Sequence, residues 1–276
     1  MSQGAAGLFA GRAGPDGDES LFLIAGPCVL EEDEVQFRVA DLLAELSERH
    51  GVPVIFKASF DKANRSSPGS PRGPGLSAGL SALDRVRDRS GLPLITDVHL
   101  PEQAVQVAAV VDALQIPAFL SRQTDLLQAA AATGRPVNVK KGQWMAPEDI
   151  AGAAQKLRVA GATEIAVTER GTAFGYGRWI VDMRSFDVMK RVSGCPTVFD
   201  ATHAVQLPGG GGTASGGEPR HIEALAGAAV AAGADGLFVE VHPDPPNARS
   251  DGANVLPLDR LDGLLARCVR IHEAVS

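Results

Sequence analysis

Eight short apolar runs, each followed by an amphipathic stretch long enough to cross back over a sheet, recur from Leu21 to the C-terminus. They are LFLIA before residues 32–49, PVIFK before 76–89, PLITD before 101–111 and ALQIP before 124–133. PVNVK before 147–160, TEIAVTE before 184–192, PTVFD before 218–232 and DGLFVE before 257–275 complete the series. Runs that are apolar throughout, rather than at alternate positions, predict strands covered on both faces, and the crossovers make those strands parallel. Eight such units in roughly 250 residues predict a closed (β/α)8 barrel, with an open doubly wound sheet as the alternative. No change of composition divides the chain, so residues 21–276 read as one domain. Residues 1–20 are glycine-rich and aperiodic, and read as a flexible tail that buries too little apolar surface to offset ordering.

Composition narrows the function. The chain has 33 acidic residues against 26 Lys plus Arg, a net charge of −7, which disfavours nucleic acid as a partner. Apolar stretches fall short of the roughly 18 residues of a membrane span, and no signal-like segment opens the sequence, so a soluble, cytoplasmic protein is expected. Three cysteines, Cys28, Cys195 and Cys268, are too few and odd in number for a disulfide framework and read as thiols.

A barrel of this kind builds its site from the segments that follow its strands. Cys28 lies three residues past LFLIA, His203 three past PTVFD, Glu240 ends DGLFVE and Asp251 sits in the loop beyond it. They belong to units one, seven and eight, which become neighbours when the barrel closes. A thiolate, an imidazole and two carboxylates suit Zn, Fe or Mn and do not choose among them. Taken singly, Cys28 also reads as a small buried hydrophobe and His203 as a rim histidine. Cys195 and Cys268 read as packing residues.

A second set is cationic. Lys57 ends PVIFK, Lys62 and Arg65 follow it, Arg122 follows ALQIP, Lys140 ends PVNVK and Arg170 follows TEIAVTE. Six cations on one rim of an acidic protein predict a basin for a small polyanion such as a phosphate ester. Lys57 or Lys140 as the Schiff-base nucleophile of an aldolase is the alternative. Gly73 to Ala78 matches a dinucleotide fingerprint only by letter, because it follows a loop, and Ser59 to Lys62 matches a β-lactamase signature whose companion motifs are missing. The run Gly209 to Gly212 lacks a phosphate-loop ending and reads as a mobile lid or linker.

The longer motifs resemble a known family. IAGPC at 24–28, FKASFDKANRSS at 56–67, RGPGL at 72–76, PAFLSRQTDLL at 117–127 and NVKKGQ at 138–143 are similar to the 3-deoxy-D-manno-octulosonate 8-phosphate synthases. So are TERGTAFGYG at 168–177, FDATHAVQLPGG at 199–210 and EVHPDPPNARSDGANVLPL at 240–258. KANRSS discriminates most, since the sister 3-deoxy-D-arabino-heptulosonate 7-phosphate synthases carry a KPRTS-like segment there. After it, Pro68-Gly69 stands in place of an Ile-His-like pair.

The resemblance implies a (β/α)8 homotetramer that condenses phosphoenolpyruvate with D-arabinose 5-phosphate and releases phosphate, on the route to the Kdo sugar of lipopolysaccharide. Cys after the AGP-like turn is the mark of metal-dependent members, and Asn there of metal-independent ones. It implies metal ligands Cys28, His203, Glu240 and Asp251; phosphoenolpyruvate contacts Lys57, Lys62, Lys140 and Arg170, with Gln115 and Ala118 lining the pocket; and arabinose 5-phosphate contacts Asn64, Arg65 and Ser66. Arg122 is similar to an arginine near the subunit boundary. Lys57, Lys62, His203 and Asp251 are the candidate catalytic groups, the last two as proton shuttles. The rival readings are the heptulosonate synthase using erythrose 4-phosphate and a non-catalytic sugar-phosphate-binding barrel.

Overall fold

The computed structural model describes residues 7–11, 20–65, 67–174, 176–211 and 214–276. The eight runs form parallel strands β1 (Phe22–Gly26), β2 (Val54–Lys57), β3 (Leu94–Asp97), β4 (Ala113–Ile116), β5 (Val137–Lys140), β6 (Ile165–Glu169), β7 (Thr197–Asp200) and β8 (Gly236–His242). Each pairs with the next, and β8 pairs with β1 in register from Phe22 opposite Gly236 to Gly26 opposite Glu240. The sheet is therefore closed, which settles the fold as the barrel and removes its edges. A short strand, Leu256–Pro257, adds alongside the end of β8.

Outside the barrel lie α1 (Asp33–His50), α2 (Leu76–Ser90), α3 (Gln103–Ala108), α4 (Thr124–Ala131), α5 (Ile150–Val159), α6 (Ser185–Ser193), α7 (Ile222–Ala231) and α8 (Leu261–Val275). In α1 the buried residues Gln36, Val39, Ala40, Leu43 and Leu46 recur at three and four positions, one stripe facing the sheet. Its first turn is acidic and its last basic, complementing the helix dipole. The third helix is shorter than the sequence pattern predicts, because residues 101–102 and 109–110 form turns. Among the described residues no helix is long and apolar enough to cross a membrane.

Side chains alternate between helix-facing and interior positions, so each strand carries two sequences at once. On β2, Val54 and Phe56 pack in the outer core while Ile55 joins the interior. The lower interior is wholly apolar: Phe22, Ile24, Ile55, Ile95, Ala113, Ala166, Val198 and Phe238. Phe9 completes it, fully buried and tilted against the Phe22 ring, and its backbone N–H donates to Glu164 at 2.6 Å. Residues 7–11 thus correct the expectation of a loose tail, because one phenyl ring finds the open floor of the barrel. Residues 1–6 and 12–19, which share that expectation, lie outside the described residues.

The upper interior is polar. Lys57, Asp97, Gln115, Asn138, Thr168, Asp200 and Glu240 are all buried there. Phe238 marks the boundary, with Lys140 Nζ 3.5 Å and Lys57 Nζ 5.3 Å from its ring centroid. Two small antiparallel hairpins rise on the same rim, Thr172–Ala173 with Trp179–Ile180 and Gln206–Gly211 with Ala214–Gly217. The second carries the glycine run that reads in sequence as a mobile lid or linker: Gln206 and Leu207 pair with Gly217 and Gly216, and Gly211 pairs with Ala214, while Gly212 lies outside the described residues.

Candidate active site

Cys28 stands in the turn after β1. Its approach depends on Gly26, where an added Cβ would lie 2.1 Å from the carbonyl oxygen of Lys57. The thiol donates to Ser250 Oγ at 2.9 Å and lies 3.5 Å from Asp251 Oδ2. Ligand atoms of Cys28, Glu240 and Asp251 fall within 4.8 Å of one another. His203 Nε2 is 3.6 Å from Glu240 Oε2 and 3.9 Å from Asp251 Oδ2, so all four sequence candidates converge. Asp251 reaches this place in a left-handed backbone conformation, φ 51°, alone among the described non-glycine residues.

The donor set fits a borderline divalent transition metal. His203 Nδ1 lies 2.8 Å from Asp200, which turns Nε2 toward the two carboxylates, the usual orientation device of a metal-ligating histidine. Burial, reinforced by Glu240 and Asp251, pushes the Cys28 thiol far above its ordinary range. A cluster of that kind gains from a bound cation, which would favour the thiolate and offset the carboxylate repulsion.

The cations form a second wall. Lys57 Nζ lies 3.2 Å from both Asp97 and Glu240 and donates to Ser59 Oγ at 2.9 Å. Lys62 is 3.8 Å from Glu240; burial opposes its charge, but Cys28, Glu240, Asp97 and Asp251 raise it above the lysine range. Lys140 Nζ donates to Asp200 Oδ2 at 2.6 Å, and burial lowers the lysine despite that partner. Lys57 and Lys140 are each paired with carboxylates, Lys57 with Asp97 and Glu240 and Lys140 with Asp200, which favours the ammonium form over the neutral amine that a Schiff-base nucleophile needs. Burial alone would raise Asp200 and Glu240, yet His203 with the neighbouring cations holds both carboxyls far below their usual range.

Arg170 donates through one nitrogen to Gln206 at 2.7 Å, and its guanidinium lies 5.6 Å from the Trp179 ring. Gly171 makes that stacking possible: its φ is 92°, and a Cβ there would sit 2.7 Å from Trp179. The other guanidinium nitrogen, Nη1, is buried without a partner. A buried, unsatisfied, charged donor is the setting of an anion contact.

Other sequence candidates are placed differently. Gln115 is buried on β4, and Ala118 is buried in the turn just after it. Arg65 donates to the carbonyls of Pro71 and Arg249 at 2.9 and 3.3 Å, and Asn64 is exposed; Ser66 lies outside the described residues. Arg122 is exposed beside Asp149, Gly152 and Lys156, and no described contact joins its side chain to the other candidates.

Sequence reading missed Asp97, Asp200, Ser59 and Gln206. Asp97 and Asp200 end PLITD and PTVFD, a signal as visible as the terminal lysines, whereas nothing local marks Ser59 or Gln206. It also missed a clasp on the Asp251 loop, where His242 Nε2 lies 3.4 Å from Glu31, the backbone N–H of Arg249 donates to Glu31 at 3.0 Å, and the Arg249 guanidinium pairs with Glu32.

Comparison with known proteins identifies the family. Residues 11–275 match the DAHP synthetase I family. The 2-dehydro-3-deoxyphosphooctonate aldolase of Nitratidesulfovibrio vulgaris (strain DP4) is 59% identical over 244 residues, covering 88% of this chain and 89% of that one. Those of Syntrophotalea carbinolica and Koribacter versatilis are 54% and 52% identical over 260 and 263 residues, each covering 94% of both chains. With a family match over nearly the whole barrel and relatives this similar, the chain belongs to the DAHP synthetase I family, among its 2-dehydro-3-deoxyphosphooctonate aldolases.

Proposed function

We propose that this chain condenses phosphoenolpyruvate with D-arabinose 5-phosphate and water to give 3-deoxy-D-manno-octulosonate 8-phosphate and inorganic phosphate. Its relatives carry the name of that activity, which favours the octulosonate reaction over the heptulosonate one and an enzyme over a binding barrel. The observation that carries the mechanism is the facing of two walls: Lys57, Lys140 and Arg170 on one side, and Cys28, His203, Glu240 and Asp251 on the other.

In the reaction, the double-bond electrons of phosphoenolpyruvate form the bond from its C3 to the aldehyde carbon, and the aldehyde oxygen takes a proton. Water adds at C2, and cleavage of the C–O bond releases phosphate and leaves the ketone. Lys57, Lys140 and the free nitrogen of Arg170 hold the phosphate and carboxylate of phosphoenolpyruvate, with Gln115 and Ala118 against its body. Such fixed cations stabilise charge without rearranging as the reaction proceeds. Lys62 completes this wall and stands nearest the second substrate, whose phosphate falls to Asn64, Arg65 and Ser66. His203 and Asp251 are placed to hold or move the proton of the water or of the aldehyde oxygen.

Cys28, His203, Glu240 and Asp251 would hold a Zn, Fe or Mn ion, which when bound supplies a localised positive charge for the aldehyde or the water. Arg122, on the outer rim, is assigned to the boundary between subunits of a homotetramer. The proposed setting is cytoplasmic Kdo synthesis for lipopolysaccharide. The deciding experiment measures phosphate release with arabinose 5-phosphate and with erythrose 4-phosphate, in metal-stripped protein and after adding single divalent ions. Faster turnover of the four-carbon aldose would overturn the substrate assignment.

A further inference from the structure

Thr168 and Asn138 have no part in the assignments above, yet they begin a continuous string of buried hydrogen bonds that ends on Lys57. Thr168 Oγ1 on β6 donates to Asn138 Oδ1 on β5 at 2.7 Å, and Asn138 Nδ2 donates to Gln115 Oε1 on β4 at 2.9 Å. Gln115 Nε2 donates to Asp97 Oδ1 on β3 at 2.7 Å. The other oxygen of Asp97 accepts the Ser59 hydroxyl and lies 3.2 Å from Lys57 Nζ. The sheet register places Asp97 opposite Gln115 and Gln115 opposite Asn138, while Thr168, two residues beyond the Ala166 that faces Asn138, reaches back across β5 to close the string. Every member is buried.

The string has a direction. Asp97 only accepts, so Gln115 must present its NH2 to it; the Gln115 oxygen then needs a donor, which turns the Asn138 NH2 toward it. The Asn138 oxygen in turn needs a donor, and the Thr168 hydroxyl supplies it. A reversal at any link leaves two acceptors facing each other away from water, at the cost of an unsatisfied buried group.

We propose that Thr168 and Asn138 are positioning residues: through Gln115 and Asp97 they hold the Lys57 ammonium at one point over the phosphoenolpyruvate pocket. This inference rests on the phosphoenolpyruvate reading of that pocket. Without the string, Asp97 keeps only its Oδ2 contacts with Ser59 and Lys57, and the released Oδ1 lets the carboxylate turn and shift Lys57 relative to Glu240.

The test compares Thr168→Val, which keeps the shape and removes the hydroxyl, Asn138→Asp, which makes the link accept only, and Thr168→Ser, which restores the donor. Phosphoenolpyruvate affinity is read by calorimetry, KM for arabinose 5-phosphate by phosphate release, and folding by thermal melting. The first two variants should weaken phosphoenolpyruvate binding roughly 10-fold, the worth of one buried hydrogen bond, while Thr168→Ser and the KM for the aldose stay within about twofold of the parent. Unchanged phosphoenolpyruvate affinity in folded Thr168→Val or Asn138→Asp overturns the proposal. So does an equal loss for both substrates, or a Thr168→Ser variant as weak as Thr168→Val. If Thr168→Val fails to fold, the isosteric Asn138→Asp decides. A parent protein that does not bind phosphoenolpyruvate would overturn the functional reading itself, whereas normal parent binding with unaltered variants overturns the string alone.

Discussion

The two ends of the barrel interior are built from the same strands and face opposite tasks. At the floor, Phe9, Phe22, Ile24, Ile55, Ile95 and Phe238 close on one another with no polar atom among their side chains. At the rim, two residues further along β2, β3, β7 and β8, Lys57, Asp97, Asp200 and Glu240, together with Lys140 on β5, are buried as charges, each held by a partner of opposite sign. Burying apolar surface lowers free energy without regard to direction, whereas a buried charge persists only where its partners are placed for it. The floor should therefore supply stability and tolerate a change of shape, and the rim should supply chemistry and tolerate very little.

The strongest challenge to that contrast is removal of the metal-ligand set. Chelation, or Cys28→Ala, should lower turnover about 1000-fold, and one added divalent transition metal should restore the chelated parent. Phosphate release and the melting curve are measured together; full activity in verified metal-free protein would end the metal assignment.

Next come the cations. Lys140→Ala and Arg170→Ala should each weaken phosphoenolpyruvate binding roughly 100-fold, the effect of losing about 2 to 4 kcal/mol in a water-poor site, and Arg65→Ala should act chiefly on arabinose 5-phosphate. Steady-state constants for both substrates check this, and native values in all three variants would dissolve the basin.

Cys28→Asn sharpens the comparison by keeping a polar group while giving up the softest ligand. The resemblance implies that family members with Asn at this position work without metal. If the ligand set chiefly orients water and aldehyde, an amide near Lys62 takes over part of that positioning, and chelator-resistant turnover should persist at about a tenth to a hundredth of the parent. A folded variant that binds both substrates and turns over neither would show that positioning is insufficient.

The floor variant should move activity least. Phe9→Ala should cost about 3 kcal/mol of stability by opening a cavity under Phe22, while kcat/KM changes less than about twofold. Denaturant melts and kinetics on one preparation test it, and a large kinetic defect with unchanged stability would reverse the roles given to the two ends.

Strand identity and order were legible along the chain because a strand buried on both faces writes its burial into consecutive residues, as in LFLIA and PVIFK. That Cys28, His203, Glu240 and Asp251 come together, and that Lys57, Lys140 and Arg170 stand at strand ends, was legible because each ends or follows such a run, and a polar or charged group there is conspicuous. Placement across the barrel was not written locally. That His203 Nδ1 meets Asp200, that Gln206 crosses from a hairpin to Arg170, and that Glu31 meets His242 are matters of strand tilt and loop path. Phe9 shows the same limit in reverse: a single phenyl ring amid glycines carries no periodic signal, and its burial depends on a floor that exists only once eight strands have closed. Pattern along a chain records how much of each residue is covered, because that preference acts one residue at a time. Which groups face one another across an interior depends on closure and register, and these belong to the assembled sheet.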